Sequence, residues 1–142
     1  MPPETRLTLK GALFILRISL ALYLLLLGLA KIVTPDQALT AIHDLYHLDL
    51  SQPEVILLGL SQVVLAGVIS SGALRALSYG VGLLVQTVAV LARYALLFTP
   101  FEAGHLVYLA SVPVLAAFAL LFALRDEDTI LSLDVMAAEA RH

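Results

Sequence analysis

Four long apolar runs fill most of the chain, at about 11–33, 54–71, 74–98 and 103–124. Each holds about 18 to 25 residues, the length at which an α-helix crosses a hydrocarbon core of about 30 Å. Ser70-Ser71-Gly72 leaves almost no loop between the second and third runs, so these two form an antiparallel hairpin. With short connections throughout, the pattern predicts an all-α protein. It is an integral membrane antiparallel four-helix bundle, up-down-up-down, in a single membrane domain spanning 1–142. The first run follows Arg6 and Lys10 as a signal peptide would, but it is too long and Arg17 interrupts it, so it reads as an uncleaved span.

Between the first two runs the pattern changes to one-sided. From Pro35 to Leu48, Ala38, Ile42, Leu45 and Tyr46 fall on one helical face, and Asp36, Thr40, His43, Asp44 and His47 fall on the other. This predicts a short interfacial helix at about 35–48, lying flat or covering the mouth of the bundle. Three helix starts share one signature: Thr34-Pro35-Asp36-Gln37, Ser51-Gln52-Pro53-Glu54 and Thr99-Pro100-Phe101-Glu102. Each has a hydroxyl cap with Gln or Glu three residues on, and proline in the first turn where its missing N–H costs nothing. Glu54 and Glu102 read first as capping groups, with proton carriage or ligand binding as the alternative. After the fourth run, residues 125–142 read as a cytoplasmic surface tail, helical from Thr129.

Composition agrees with the bilayer reading. The chain is 61% hydrophobic and 13% charged with a mean hydropathy of +0.97, more apolar surface than a soluble domain of this size can hide. A scattered net charge of −3 predicts no nucleic-acid surface. The lack of cysteine excludes disulfide and thiol chemistry by this chain alone. Arg6, Lys10, Arg75 and Arg125 share one side of a four-span arrangement, which predicts that both termini are cytoplasmic. With no tryptophan, an interfacial aromatic belt rests on Tyr23, Tyr46, Tyr79, Tyr94 and Tyr108.

Few polar groups interrupt the runs. Arg17 lies about two turns inside the first, where an ionisable residue is a functional candidate and snorkelling is the competing account. Arg17, Ala21, Leu24, Gly28 and Lys31 form one stripe that is expected to face the bundle, its small residues admitting a neighbouring helix. Ala66 and Ser70 suit helix docking in the same way. Gln62 and Gln86 lie near mid-membrane and are expected to bond each other across the hairpin. The sharper alternative is a pocket for a quinone or other lipid-soluble ligand, with Arg17, Tyr23, Gln62, Tyr79 and Gln86 as its polar lining. Pro113 predicts a kink in the fourth span. His43 and His47, at i and i+4, make an incomplete metal site that His105 would complete. The competing account is a solvated polar face.

Arg17, the stretch Gly28-Leu29-Ala30-Lys31 followed by Pro35, and the turn Gly72-Ala73-Leu74-Arg75 give the chain its resemblance to the DoxX/MauE-type family of small four-span membrane proteins. The likeness covers the first three spans, and the fourth by hydropathy. The family often carries a glutamate in the second span upstream of the glycine–arginine turn; the matching position here is Gln62. DoxX proteins accompany thiosulfate:quinone oxidoreduction, and MauE accompanies maturation of methylamine dehydrogenase. The resemblance therefore implies a prokaryotic cytoplasmic (inner) membrane and a helper or subunit role.

Three functions follow, in order. The first is a non-catalytic accessory or structural subunit of a larger membrane complex, a redox one by resemblance, with other membrane subunits as partners. The second is a quinone-binding electron-transfer subunit of an oxidoreductase. The third is a small transporter or a metal or pH sensor built on His43, His47 and His105. No catalytic residue is assigned.

Overall fold

The computed structural model describes residues 2–99, 101 and 108–140, with Leu97 described in its backbone alone. These residues are all-helical, with no strand among them. The helices are α1 (Pro3–Val33), α2 (Pro35–Tyr46), α3 (Gln52–Ser71), α4 (Arg75–Ala92), α5 (Tyr94–Leu97), α6 (Ser111–Ala123) and α7 (Leu133–Glu139). Three of them, α1, α3 and α4, are long and apolar enough to cross a membrane, and α6 is a shorter apolar helix of 13 residues. In the most apolar stretches of the three, only 33%, 22% and 22% of positions are buried inside the protein, and the rest are half-buried or exposed.

The helices associate as two antiparallel pairs, α1 with α3 and α4 with α6. Backbone-to-backbone approach defines the first pair. A methyl group on Gly28 would meet the Gly59 carbonyl oxygen at 2.8 Å, and one on Gly59 would meet that of Gly28 at 2.7 Å. Only glycine at both positions permits this crossing. Ala21, Leu24 and Gly28 are buried on the same stripe, so the inward face expected for α1 is present. In the second pair the Phe118 ring of α6 lies on α4 where Gly82 leaves room. Leu13, Leu20, Ala21, Leu24, Ala66, Ile69, Tyr79, Phe118 and Leu121 make the core that joins the pairs.

Local signals explain several boundaries. Ser51 opens α3 with a capping box: the Glu54 carboxylate accepts from the Ser51 amide and hydroxyl, both at 2.6 Å. Thr34 does not cap α2 as expected; its hydroxyl donates back to the Ala30 carbonyl at 2.8 Å, closing α1 instead. Pro100 and Glu102, in the third capping signature, lie outside the described residues. The third apolar run is divided at Arg93, which separates α4 from α5. The interruption expected from Pro113 falls one turn before it: Tyr108 and Leu109 are helical, Ala110 is a turn residue with right-handed angles, and α6 resumes at Ser111, because Pro113 has no N–H to give to the Leu109 carbonyl. As expected, Ile42 of α2 is buried while Asp36, Thr40, His43 and Asp44 are exposed.

We expect Gly59→Val to destabilise the protein by about 1–3 kcal/mol, because its side chain must force α1 and α3 apart. Gly67→Ala should be near neutral, since a methyl group there meets no atom within 4 Å. Denaturant titration in mild detergent, followed by circular dichroism, measures both.

Candidate functional site: a buried charge cluster under the α3–α4 turn

Arg17 is completely buried, so snorkelling does not describe it. Its Nη1 donates to both carboxylate oxygens of Asp128 at 3.1 Å, and Asp128 is equally buried. Its Nη2 donates to the carbonyls of Ile130 at 2.8 Å and Leu131 at 3.2 Å. The Phe14 ring covers the guanidinium, 5.1 Å from ring centroid to Cζ. Tyr79 of α4, also fully buried, donates its hydroxyl to Asp128 at 2.5 Å. One carboxylate thus neutralises Arg17 and ties α1 and α4 to the segment after α6.

This corrects the surface reading of the tail at its start, whereas Met136 to Ala140 are exposed as expected. Asp128 and Ser132 have no exposed surface. The physical reason is the buried guanidinium: removed from water, it needs an anion and carbonyl acceptors, and the tail supplies both. Tyr79 is likewise withdrawn from the expected aromatic belt.

The α3–α4 turn completes the cluster. Gly72 takes the left-handed conformation at φ 64° and closes α3. Its missing side chain also leaves room for Arg17, since a methyl group there would lie 2.7 Å from Arg17 Nη1. Leu74 precedes α4 at φ 48° and offers no side-chain cap. Asp134, sixty residues on, replaces it: its carboxylate accepts from the amides of Leu74 at 2.8 Å and Arg75 at 3.0 Å. A carboxylate is favoured there because the first amides of a helix are unpaired and carry the positive end of its dipole. Arg75 answers from the other side, donating Nη1 to the carbonyls of Arg125 at 2.8 Å and Asp128 at 2.7 Å. Ser132 donates to the Gly72 carbonyl at 2.9 Å. Burial acts to raise the Asp134 carboxyl, but the Arg75 and Leu74 amides and the Arg75 charge outweigh it and hold the group below the usual carboxylate range.

The residues expected to line a quinone pocket are not assembled into one. Arg17 and Tyr79 meet on Asp128. Tyr23 packs against the core. The expected Gln62–Gln86 bond is absent: Gln86 donates to the Ser111 carbonyl at 3.0 Å, whereas Gln62 accepts from Lys31 Nζ at 2.8 Å. Each amide finds its partner inside its own antiparallel pair, because the pairs are more intimate than the hairpin that links them. His43 and His47 lie one turn apart, the His47 amide donating to the His43 carbonyl at 2.9 Å. His47 adopts φ 54° after α2 has ended, and the exposed His43 sits 3.4 Å from Asp44 and 3.5 Å from Asp49. His105 lies outside the described residues, and among the described ones no group of three His, Cys, Asp or Glu is placed to hold a metal ion.

Sequence reasoning missed Asp128, Asp134 and Ser132. The signal was present as an unmet need: an interior arginine without an interior carboxylate, and a helix start at Leu74-Arg75 without a cap. Comparison with family models, with curated proteins and with solved structures finds no match to this chain.

Removing Asp128 leaves Arg17 buried and uncompensated, so Asp128→Ala should cost about 3–5 kcal/mol. Tyr79→Phe removes one hydrogen bond to a charged group and should cost less, about 1.5–3 kcal/mol. Denaturant titration of both variants gives the ranking. The Asp134 clip has a lowered folded-state pKa, so its stabilisation is complete above the ordinary carboxylate value of 3.8 and is lost as pH falls through the depressed one. Thermal melts across the acid range should show a larger loss in the wild type than in Asp134→Asn, the Glu54 cap accounting for part of what remains.

Proposed function

We propose that the chain is an integral protein of a prokaryotic cytoplasmic membrane that serves as a non-catalytic accessory subunit of a larger membrane assembly. Its α1, α3, α4 and α6 regions cross the bilayer as an up-down-up-down bundle, α2 lies at the outer interface, and both termini are cytoplasmic. The observation that carries the role is that three of the five residues expected to line a quinone pocket bond inside the fold: Arg17 and Tyr79 are committed to Asp128, and Gln86 to the Ser111 carbonyl.

The outward faces support a bilayer setting. Leu22, Leu26, Leu57, Val64, Leu77 and Leu84 are each 53% exposed or more, a continuous apolar exterior that water disfavours. Arg75 and the Arg125 backbone meet at one end of the helices, in keeping with the positive-inside assignment of that end. Arg17 and Gly72–Arg75, two of the segments that carry the DoxX/MauE resemblance, meet around Asp128.

Affinity purification of the full chain from membranes in mild detergent should recover partner membrane proteins in fixed ratio. Recovery as a free monomer, under conditions that preserve other membrane complexes, would contradict the subunit role. The electron-transfer alternative requires Arg17→Leu to lower quinone-dependent turnover while leaving the assembly intact.

A further inference from the structure

Between Arg17 and Arg125, one cation stands apart from the rest. Arg17 and Arg75 face carboxylates, and the guanidinium groups of Arg93 and Arg125 lie over the rings of Tyr108 and Phe122. Lys31 meets neither an anion nor a ring among the described residues. Its side chain does not extend toward the near end of α1, as snorkelling requires. It folds back along the helix, and Nζ donates to the Leu27 carbonyl at 3.3 Å and to Gln62 Oε1 at 2.8 Å. Leu27 lies six residues before the end of α1 at Val33, about 9 Å along the axis. The ammonium is thus held below the helix ends.

The close crossing of α1 and α3 sets this position. A methyl group on Gly59 would lie 3.0 Å from Lys31 Cβ, so the stem of Lys31 is pressed against α3, one turn from Gln62. Both acceptors of the ammonium are neutral. Glutamine orients the charge without neutralising it. An ammonium has three donors, so one N–H remains, and the Gln62 amide nitrogen has no partner among the described residues. Lys31 and Gln62 are both half-buried, which leaves the pair within reach of a neighbouring molecule. A charge at such depth is costly and calls for a counter-charge.

We propose that Lys31, oriented by Gln62, is one half of an intramembrane ion pair whose other half is an Asp or Glu on a transmembrane helix of a different polypeptide. Charge complementarity requires an anion, and two observations select its source. A lipid phosphate stays at the headgroup level, whereas Nζ is turned away from that level. A second copy of this chain has no carboxylate to offer at this depth, since no Asp or Glu occurs between Glu4 and Asp36, between Glu54 and Glu102, or between Glu102 and Asp126. The inference rests on the subunit role proposed above and names the chemistry of the contact that role needs.

Lys10 and Lys31 are the two lysines of the chain, so Lys10→Arg leaves Lys31 as the single side-chain amine. The probe is dicyclohexylcarbodiimide, a membrane-permeant reagent that joins an amine to a touching carboxylate as an amide while taking up the water released. Applied to native membranes holding the full chain and read by mass spectrometry, it should link Lys31 to an Asp or Glu inside an apolar stretch of another polypeptide. Gln62→Leu frees the ammonium to snorkel and should lower the yield. In mild detergent the partner should leave Lys31→Met about thirtyfold faster than the wild type, and Lys31→Arg should retain it. A link from Lys31 to a lipid, to a carboxylate of its own chain or of a second copy, or no link, overturns the proposal. An unchanged release rate in Lys31→Met or an unchanged yield in Gln62→Leu overturns it as well. Partners recovered in fixed ratio without the link sink only this inference, and a chain recovered free of partners sinks the subunit role with it.

Discussion

A guanidinium without contact with water organises this protein. Ionised arginine stays charged in any protein interior, so burying Arg17 creates an obligation that only a counter-charge and well-placed carbonyls can meet. The chain meets it with residues more than a hundred positions away, at Asp128, Ile130 and Leu131. The path of the tail, the placing of Tyr79 and the need for glycine at position 72 all follow from that one demand. Arg75 and Asp134 repeat the principle at the surface of the same cluster, where a helix start and a tail satisfy each other's unpaired groups.

The remaining architecture is set by how closely helices approach. Glycines at 28 and 59 bring α1 and α3 into backbone contact, and Gly82 admits Phe118 between α4 and α6. Two tight pairs leave the hairpin between α3 and α4 comparatively open. The same imbalance separates Gln62 from Gln86 and opens a groove along α3 and α4. The helix assembly is locked at the turn end by paired charges; at the other end Lys31 donates to Gln62 and the Arg93 guanidinium lies over the Tyr108 ring.

Much of the local structure was legible in the sequence because local rules govern it. The apolar runs gave the long helices α1, α3 and α4, the one-sided pattern gave α2 and its buried Ile42, and Ser51 with Glu54 marked the start of α3. The stripe from Arg17 to Gly28 identified the buried face of α1. What was not legible depended on which distant groups meet. Asp128 and Asp134 sit in an acidic, mixed tail that reads as solvated surface until the unmet needs of Arg17 and of the α4 start are counted. Hairpin connectivity made Gln62 and Gln86 look like partners, but adjacency in sequence did not translate into the tightest packing. Thr34 misled for a similar reason, since a hydroxyl between two helices can close the first or open the second.

The central claim is that the fold depends on the Arg17–Asp128 pair as a pair, with neither charge stabilising alone. A double-mutant cycle with Arg17→Met, Asp128→Leu and the combined variant tests it most directly, read by denaturant unfolding in detergent. The account predicts that each single change is strongly destabilising and that the combined variant recovers much of the loss, with a coupling of about 0.5–3 kcal/mol or more, because two apolar groups replace two charges in a dry site. Additive losses, with the combined variant less stable than the wild type by the sum of the two single losses, would show that the two residues do not act on each other and would contradict it.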